Sequence, residues 1–368
     1  MRVAVVTVAV VAIIFLAAAA LIFPAVQAAR EAARRMQCGT NVKILCMGLQ
    51  NYHDTFLYLP YGARNRTVPP DHDRPSWGSS WYVGMLPFIE KGFDPIVAAE
   101  LADPANDYVS RAVRQPHRGG KYMLCPSSPL PQTQNLGGVT LVVPSYAGIM
   151  GATDEPGPAL TSLIDSNQRI IGGPYGGLAS GNGMLPINES LTMAACTDGM
   201  ANTILVGEVS DWYYTDTAAR RNPALSIGDA GGGLRNEAGW LAGNDLGFIP
   251  PPPDPRPNAP PQPETVAWGV WKNAPPIVAN RVCNLMTIHH AVGLNNRRGL
   301  RDTEPNWGTQ GIGRCGLNNP LLSGHPAGAM VGYLDGHVQL ISKQTDLWII
   351  KRLANRDDGG PLPRSLNE

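Results

Sequence analysis

Charge is scarce in this chain. Asp, Glu, Lys and Arg make up 16% of its 368 residues and cancel to a formal net charge of zero, against about 25% charged residues in an average soluble domain. A neutral chain offers no broad basic surface to a polyanion, so nucleic acid is not an expected partner. The six cysteines (Cys38, Cys46, Cys125, Cys196, Cys283 and Cys315) include no C-x-x-C pair, which speaks against zinc ribbons and thioredoxin-type motifs. There is no G-x-S-x-G, P-loop or H-E-x-x-H, and no recognisable nucleophile or carboxylate pair for hydrolysis. GIGRCG, at 311–316, matches a dinucleotide fingerprint in letters only: no apolar strand precedes it, and LNNP follows where a helix should start. The expectation is a non-enzyme without a cofactor.

Glycine and proline are abundant instead. The 41 Gly and 34 Pro are roughly 11% and 9% of the chain, against averages of about 7% and 5%. Turns and long connections are expected between short strands. LVV at 141–143, SYAGIM at 145–150, TILVGEV at 203–209 and TVAWGVW at 265–271 read as strands. A proline-rich loop at 249–264 reads as a polyproline-like spacer. A last helix is expected beyond Thr345 or Asp346 as cap, with Leu347, Ile350 and Leu353 on its apolar face. Scattered, even-numbered cysteines fit disulfides in an oxidising compartment. Cys38, Cys125, Cys283 and Cys315 are candidates; six cysteines allow 15 pairings, and the sequence does not choose among them. Buried free thiols are the plainer alternative.

The N-terminus holds the longest apolar run. From Val3 to Val26 there is no charge, and Thr7 is the only hydrogen-bonding side chain. That exceeds the ~20 residues needed to cross a bilayer as a helix and the ~7–15 of a signal-peptide core. A retained transmembrane segment over 1–26 is expected. A cleaved signal peptide, cut after Val26-Gln27-Ala28, is the competing reading. Arg30, Arg34 and Arg35 follow the run while Arg2 precedes it, and by charge alone the body would face the cytoplasm. The helix should continue over 27–59 as an amphipathic spine. Ala25, Ala29, Ala32 and Met36, then Val42, Leu45, Leu49, Tyr52 and Phe56, fall at steps of three and four. Glu31 pairs with Arg35 on the opposite face, Pro24 kinks the helix near the membrane boundary, and Leu59-Pro60 ends it.

Polar motifs allow two readings each. In GHPAGAMVGYLDGHVQLIS, at 324–342, alternating strands flank Asp335-Gly336, the favoured pair for a two-residue type I′ hairpin in which both residues take positive φ. One face of the hairpin is expected to be buried. His325 lies ten residues before Asp335, up to ~33 Å of extended chain, so unless the chain folds back the two cannot share a metal, and His337 falls at an exposed hairpin position; a metal or ligand site using His325, or an acid–base pair, is the alternative to the structural hairpin. Asp198, Asn202 and Glu208 offer oxygens of the kind Ca²⁺ prefers, but a turn into the strand at 203–209 is the plainer reading. His289-His290, with Cys283 and Cys315, can be read as a transition-metal set, although adjacent side chains on a strand point apart. No metal is the expectation overall.

Together these segments resemble a known family. FPAVQAAREAARRMQCGTNVKILCMGLQNYHDT is similar to the N-terminal helix of pilin-like proteins of planctomycete-type bacteria whose central domain has no assigned function. SSWYVGMLPFIE, LCPSSP and TDGMANTILVGEVSDW resemble further elements of that family, the last carrying Asp198, Gly199, Asn202, Thr203 and Glu208. His325 with Asp335-Gly336 matches its His-x(9)-Asp-Gly signature, and LANRDDG fits its C-terminal end. This chain departs from the family at its start: MRVAVVTVAVVAIIF has no Gly before the core and no Glu within it, so prepilin processing is not carried over. The resemblance implies an α+β, pilin-like fold: a long N-terminal helix, a mostly antiparallel β, loop-rich body over 60–345, and a C-terminal helix and tail over 346–368. It implies a single-pass protein of the cytoplasmic membrane with its body in the periplasm or at the cell surface. Its expected partners are the lipid bilayer and, through the N-terminal helix, other pilin-like subunits or secretion machinery of the type II, pseudopilin kind. The alternative is an exported, cleaved carbohydrate- or ligand-binding protein using some of its 8 Trp and 11 Tyr as stacking platforms.

Overall fold

The computed structural model describes residues 2–63, 79–89, 119–136, 139–153, 170–172, 178–187, 189–211, 213–214, 220–221, 284–294 and 317–360. The expected strand at 265–271, the proline-rich loop at 249–264, GIGRCG, Cys283 and Cys315 lie outside the described residues.

Helix α1 is continuous over Arg2–Phe56. At 1.5 Å per residue its 55 residues make a rod of about 82 Å. The Thr7 hydroxyl donates to the Val3 carbonyl, 3.0 Å away, so the one polar side chain of the apolar run is satisfied within the helix. Pro24 stands inside the helix and has no N–H to give the Ala20 carbonyl. The rod stops three residues before Leu59-Pro60. Leu57 turns to a φ of 66°, and its N–H donates to the His53 carbonyl at 2.6 Å, a left-handed cap of the kind glycine usually supplies.

The two ends of this rod have opposite surroundings. Val3, Phe15 and Leu21 are 81%, 72% and 76% exposed, and among the described residues nothing packs on this segment. From Cys38 onward the helix lies in the core: Cys38, Val42, Leu45, Cys46 and Leu49 are fully buried, each Val or Leu contributing about 1.5–3 kcal/mol relative to exposure. The second half of the expected stripe therefore holds as far as Leu49, with Tyr52 half-buried and Phe56 exposed. The first half does not: Ala25, Ala29, Ala32 and Met36 are exposed. The face turned to the body runs instead through the half-buried Glu31 and Arg34 and the buried Cys38, Val42, Leu45 and Leu49, and Glu31 faces the body rather than away from it. Gly39 keeps the same phase but hides a change from apolar to polar contacts.

Strands follow in chain order: β1 (Thr133–Leu136), β2 (Val139–Val142), β3 (Tyr146–Ala152), β4 (Ile170–Gly172), β5 (Leu178–Ser180), β6 (Ile204–Glu208), β7 (Tyr213–Tyr214), β8 (Arg220–Arg221), β9 (Leu285–Ile288), β10 (Gly328–Tyr333) and β11 (Val338–Ser342). Two short helices, α2 (Trp81–Met85) and α3 (Leu347–Leu353), complete the described regular elements used below. Five strands form one sheet in the order β11-β10-β6-β3-β9. All its pairs are antiparallel except β3 with β9. β1-β2, β4-β5 and β7-β8 are separate antiparallel pairs. The chain is α+β, with a mixed, mainly antiparallel sheet.

The sheet is covered on both faces. On one, Val42, Leu45 and Leu49 of α1 pack with Tyr146, Met150, Met330 and Leu334. On the other, Ile349, Ile350 and Leu353 of α3 pack with Ala147, Ile149, Ala329, Val331 and Tyr333. The period-2 alternation of β3 and β10 thus feeds two cores, and the expectation of a hairpin buried on one face does not hold: even on the edge strand β11, Ile341 joins one core while Val338 and Leu340 pack on the other. Asp346 caps α3, its carboxylate accepting from the Trp348 N–H at 2.8 Å. Trp81 and Tyr82 of α2 are wholly buried. Trp81 Nε1 donates to the Asn284 carbonyl and the Tyr82 hydroxyl to that of Tyr146, each at 2.8 Å. These two aromatics, with Tyr146 and Tyr333, are core and not stacking platforms.

β10 approaches α1 closely enough that only glycine fits at one position. A Cβ on Gly332 would collide with Cys46 Sγ and stand 2.7 Å from Val42 Cγ1. At the far end of β10 the turn differs from the expected type I′. Gly336 N–H donates to the Tyr333 carbonyl at 2.9 Å, and Tyr333 N–H to the His337 carbonyl at 3.0 Å. Gly336 alone has positive φ, 84°. The loop is therefore three residues long, Leu334-Asp335-Gly336, with glycine at the left-handed position. The Asp335 carboxylate accepts from the His337 N–H at 3.0 Å and lies 2.6 Å from His337 Nδ1.

Candidate functional site

The polar half of the buried face of α1 forms a clamp. Glu31 presents Oε1 to His325 Nδ1 at 2.5 Å. Its other oxygen accepts from Arg34 Nη2 and Nε at 2.8 and 3.1 Å, and Arg34 Nε also donates to Ser127 Oγ at 3.1 Å. One turn further, Cys38 is disulfide-bonded to Cys125. Asn41 Nδ2 donates to the Leu124 carbonyl at 2.7 Å, Lys43 Nζ to that of Gly336 at 2.6 Å and Gln50 Nε2 to that of Leu334 at 2.9 Å. LCPSSP and the His-x(9)-Asp-Gly segment are thus both tied to the helix.

His325 is wholly buried in the bend before β10. Its backbone N–H is held by Ser323 Oγ at 3.1 Å, and its Nε2 lies 3.7 Å from Cys125 Sγ. Glu208, at the end of β6, is also wholly buried. Its carboxylate accepts from Ser210 Oγ at 2.5 Å and from the Met330 N–H at 3.0 Å. Burial pushes the Glu208 carboxyl above its ordinary range, partly offset by these hydrogen bonds and by the nearby His325. Glu31 goes the other way. Burial raises it, but the hydrogen bonds from His325 and Arg34 prevail and hold it below the ordinary value. The ligand atoms of Cys38, Cys125, Glu208 and His325 lie within 4.8 Å of one another.

A second cluster ties down the C-terminal segment. Asp198 accepts from the backbone N–H groups of Asp358 and Gly359 at 2.7 and 2.9 Å. Asn202 Nδ2 donates to the Asp198 carbonyl at 3.0 Å. Thr203 Oγ1 donates toward the Gly199 carbonyl at 3.2 Å and lies 3.1 Å from Cys196 Sγ; Gly199 has a φ of 98°. The hairpin loop docks on the same segment, Leu334 N–H donating to the Thr203 carbonyl at 2.9 Å. Asp198, Asn202, Arg352, Asp358 and Gly360 line a cavity of about 60 Å³, room for a few waters and not for a sugar ring.

The expected residues therefore fall into two groups. His325 and Glu208 meet beside the disulfide. Asp198, Gly199, Asn202 and Thr203 hold the C-terminal segment, and Asp335-Gly336 turns the hairpin and seats it on α1. Asp198 and Asn202 do not join Glu208 in an oxygen site: β6 separates them, the Asp198 oxygens are taken by the Asp358 and Gly359 N–H groups, and those of Glu208 by Ser210 and Met330. His289 Nδ1 lies 2.9 Å from Thr153 Oγ1, and its ring packs on His290 with centroids 4.6 Å apart; the two rings meet rather than point apart, because they follow β9 instead of lying in it. Residues the motifs did not single out are Glu31, as a contact of the body, and Asn41, Lys43 and Gln50. The signal for Glu31 was available, since it lies in phase with Cys38, Val42, Leu45 and Leu49 once polar residues are counted.

Fold and site together define an α+β protein whose one long helix is bare and apolar at one end and clamped into a two-faced sheet at the other. The chain belongs to the family described as protein of unknown function (DUF1559), whose model matches residues 27–347. No curated protein and no solved structure matches it.

Proposed function

We infer that this protein is a non-catalytic, membrane-anchored structural or surface protein, built on the pilin or pseudopilin plan, with its body outside the cytoplasm. The observation that carries the reading is the contrast along α1. Val3 to Phe23 is helical, apolar and exposed, with enough length and hydropathy to cross a bilayer, whereas Cys38 to Leu49 is core. An exposed apolar rod of this length needs lipid or sister helices around it. The Cys38–Cys125 disulfide supports an oxidising compartment for the body. The engagement of the signature side chains in cross-links between segments supports a structural role for them.

The test is the intact mass and N-terminal sequence of the native protein from separated membrane and soluble fractions, followed by oxidative cross-linking of an Ile14→Cys variant in membranes. A membrane-bound chain retaining Val3 to Val26, with copies cross-linked at position 14, is expected. A soluble chain beginning near Ala29 would overturn the anchor and favour an exported binding protein. An anchored chain without cross-links would leave a surface protein and remove the pilin-type packing.

A further inference from the structure

We propose that the Cys38–Cys125 disulfide and a buried zinc site are two redox states of one place in the fold. Cys38, Cys125, His325 and Glu208 are wholly buried, and their donor atoms converge within 4.8 Å. Two thiolates, an imidazole and a carboxylate form a four-donor set of the kind that closes around Zn²⁺.

Three observations point to a ligand and not to chance crowding. The Nδ1 of His325 faces the Glu31 carboxylate at 2.5 Å, so Nδ1 carries a proton and Nε2 is the nitrogen that a metal would take. This carboxylate–imidazole pairing is the arrangement that orients metal-binding histidines. Nε2 is aimed at Cys125 Sγ at 3.7 Å, and a disulfide sulfur has no hydrogen to give it. Among the described residues the hydrogen-bond contact of Nε2 is that sulfur. Finally, Zn–S and Zn–N bonds of about 2.3 and 2.0 Å at a tetrahedral angle put nitrogen and sulfur about 3.5 Å apart, close to the separation present. Arg34, 2.8 Å from Glu31, and Arg35, 3.9 Å from it, place two positive charges beside the Glu31 carboxylate, at the edge of the site.

The redox step balances with a dithiol as reductant. Its thiolate attacks one sulfur of the disulfide, its second thiol resolves the mixed disulfide, and it leaves as its own disulfide. The two electrons remain on Cys38 and Cys125 as thiolates. Their protons pass to solvent as Zn²⁺ binds, and the metal keeps its oxidation state. Oxidation by a disulfide of the same class reverses the sequence and releases the ion.

The test uses the full chain in detergent. Protein reduced with a dithiol and desalted anaerobically is titrated with Co²⁺, then with Zn²⁺, beside the oxidised protein. The reduced chain is expected to bind one cobalt, with tetrahedral d–d bands and thiolate-to-cobalt charge transfer, and zinc is expected to displace it. The oxidised chain is expected to bind none. Glu31→Gln is expected to weaken zinc about 10- to 100-fold, the usual cost of losing such an outer carboxylate. Either of two results would overturn the proposal: a reduced chain of native circular dichroism that takes up no cobalt, or an unchanged spectrum in the Cys38→Ser/Cys125→Ser variant. Because the unaltered chain gives the deciding spectrum, a variant that fails to fold does not block the test.

Discussion

The imidazole of His325 and the carboxylate of Glu31 come from positions 294 residues apart and meet at 2.5 Å. One belongs to the bend before β10 and the other to the rod that leaves the body. Their contact, the disulfide about two turns further along the helix and the Gly332 approach help attach the sheet to α1.

His325→Ala removes the partner of Glu31 and leaves a cavity against Cys125. We expect a loss of about 2–4 kcal/mol, the range for breaking one side of a buried charged hydrogen bond. Thermal unfolding in detergent measures it, and Glu31→Gln in the same background should cost less than it does alone, since the two residues act as a pair.

The two carboxylates of the clamp have opposite pH signatures. Glu31 is held below its ordinary value, so it contributes stability above about pH 4.3, and that contribution disappears as pH falls through its folded pKa. Glu208 is raised, so the fold favours its protonated form, and stability is lost as pH rises through its folded pKa. Glu31→Gln should flatten the acid limb of a melting-temperature profile. Glu208→Gln should flatten the limb above it and leave the protein at pH 8 as stable as the parent or more so. Identical profiles for parent and variants would refute both assignments.

The Cys38–Cys125 bond closes a loop with a sequence separation of 87, for which chain entropy alone predicts about 4–5 kcal/mol. Reduction in chelator-treated buffer should lower the unfolding midpoint accordingly. Reduction should not affect Cys46, which is already a free buried thiol with its pKa pushed up to about 12 by burial, so alkylation of the native protein should spare it.

Two glycine-scale changes test the ends of the helix contact. Gly332→Val forces a side chain into Val42 and Cys46 and should cost about 1–3 kcal/mol or more as an overpacked core. Leu57→Gly should do the reverse. Leu57 is 71% exposed with a φ of 66°, so glycine relieves a left-handed penalty of about 1–2 kcal/mol against about 0.5–1 kcal/mol of backbone entropy. Denaturant midpoints for the pair should move in opposite directions.

Asp198→Ala strips the acceptor from the Asp358 and Gly359 N–H groups. Amide exchange at these two positions should accelerate, with a stability loss of about 1–3 kcal/mol. Unchanged exchange would show that Arg356, whose guanidinium reaches the Gly181 and Gly183 carbonyls, holds the segment by itself.

Local patterns were legible and long-range partners were not. The apolar run, the Val42–Leu49 stripe, the Asp346 cap and the strands β3, β6, β10 and β11 follow from period and propensity. The phase of α1 before Cys38 was misread because only apolar residues were counted, while the helix meets the body there through Glu31 and Arg34. The hairpin loop was read one residue short: Asp-Gly fits two turn types, and the choice depends on Leu334 being drawn into the contact with Thr203 and Gln50. The convergence of His325, Glu208, Cys38 and Cys125 had no local signal, because it is created by strand order and by the path of α1 across the sheet.

That path has a mechanical consequence. One continuous helix, with Pro24 inside it, serves as both the greasy stem and the seat of the sheet. Each residue of helix advances the azimuth by about 100°. Inserting or deleting one residue between Phe23 and Glu31 would therefore swing the whole body to a different compass bearing around the stem, without altering any contact inside it. Residues in that interval act as an indexing dial for the direction in which the body faces.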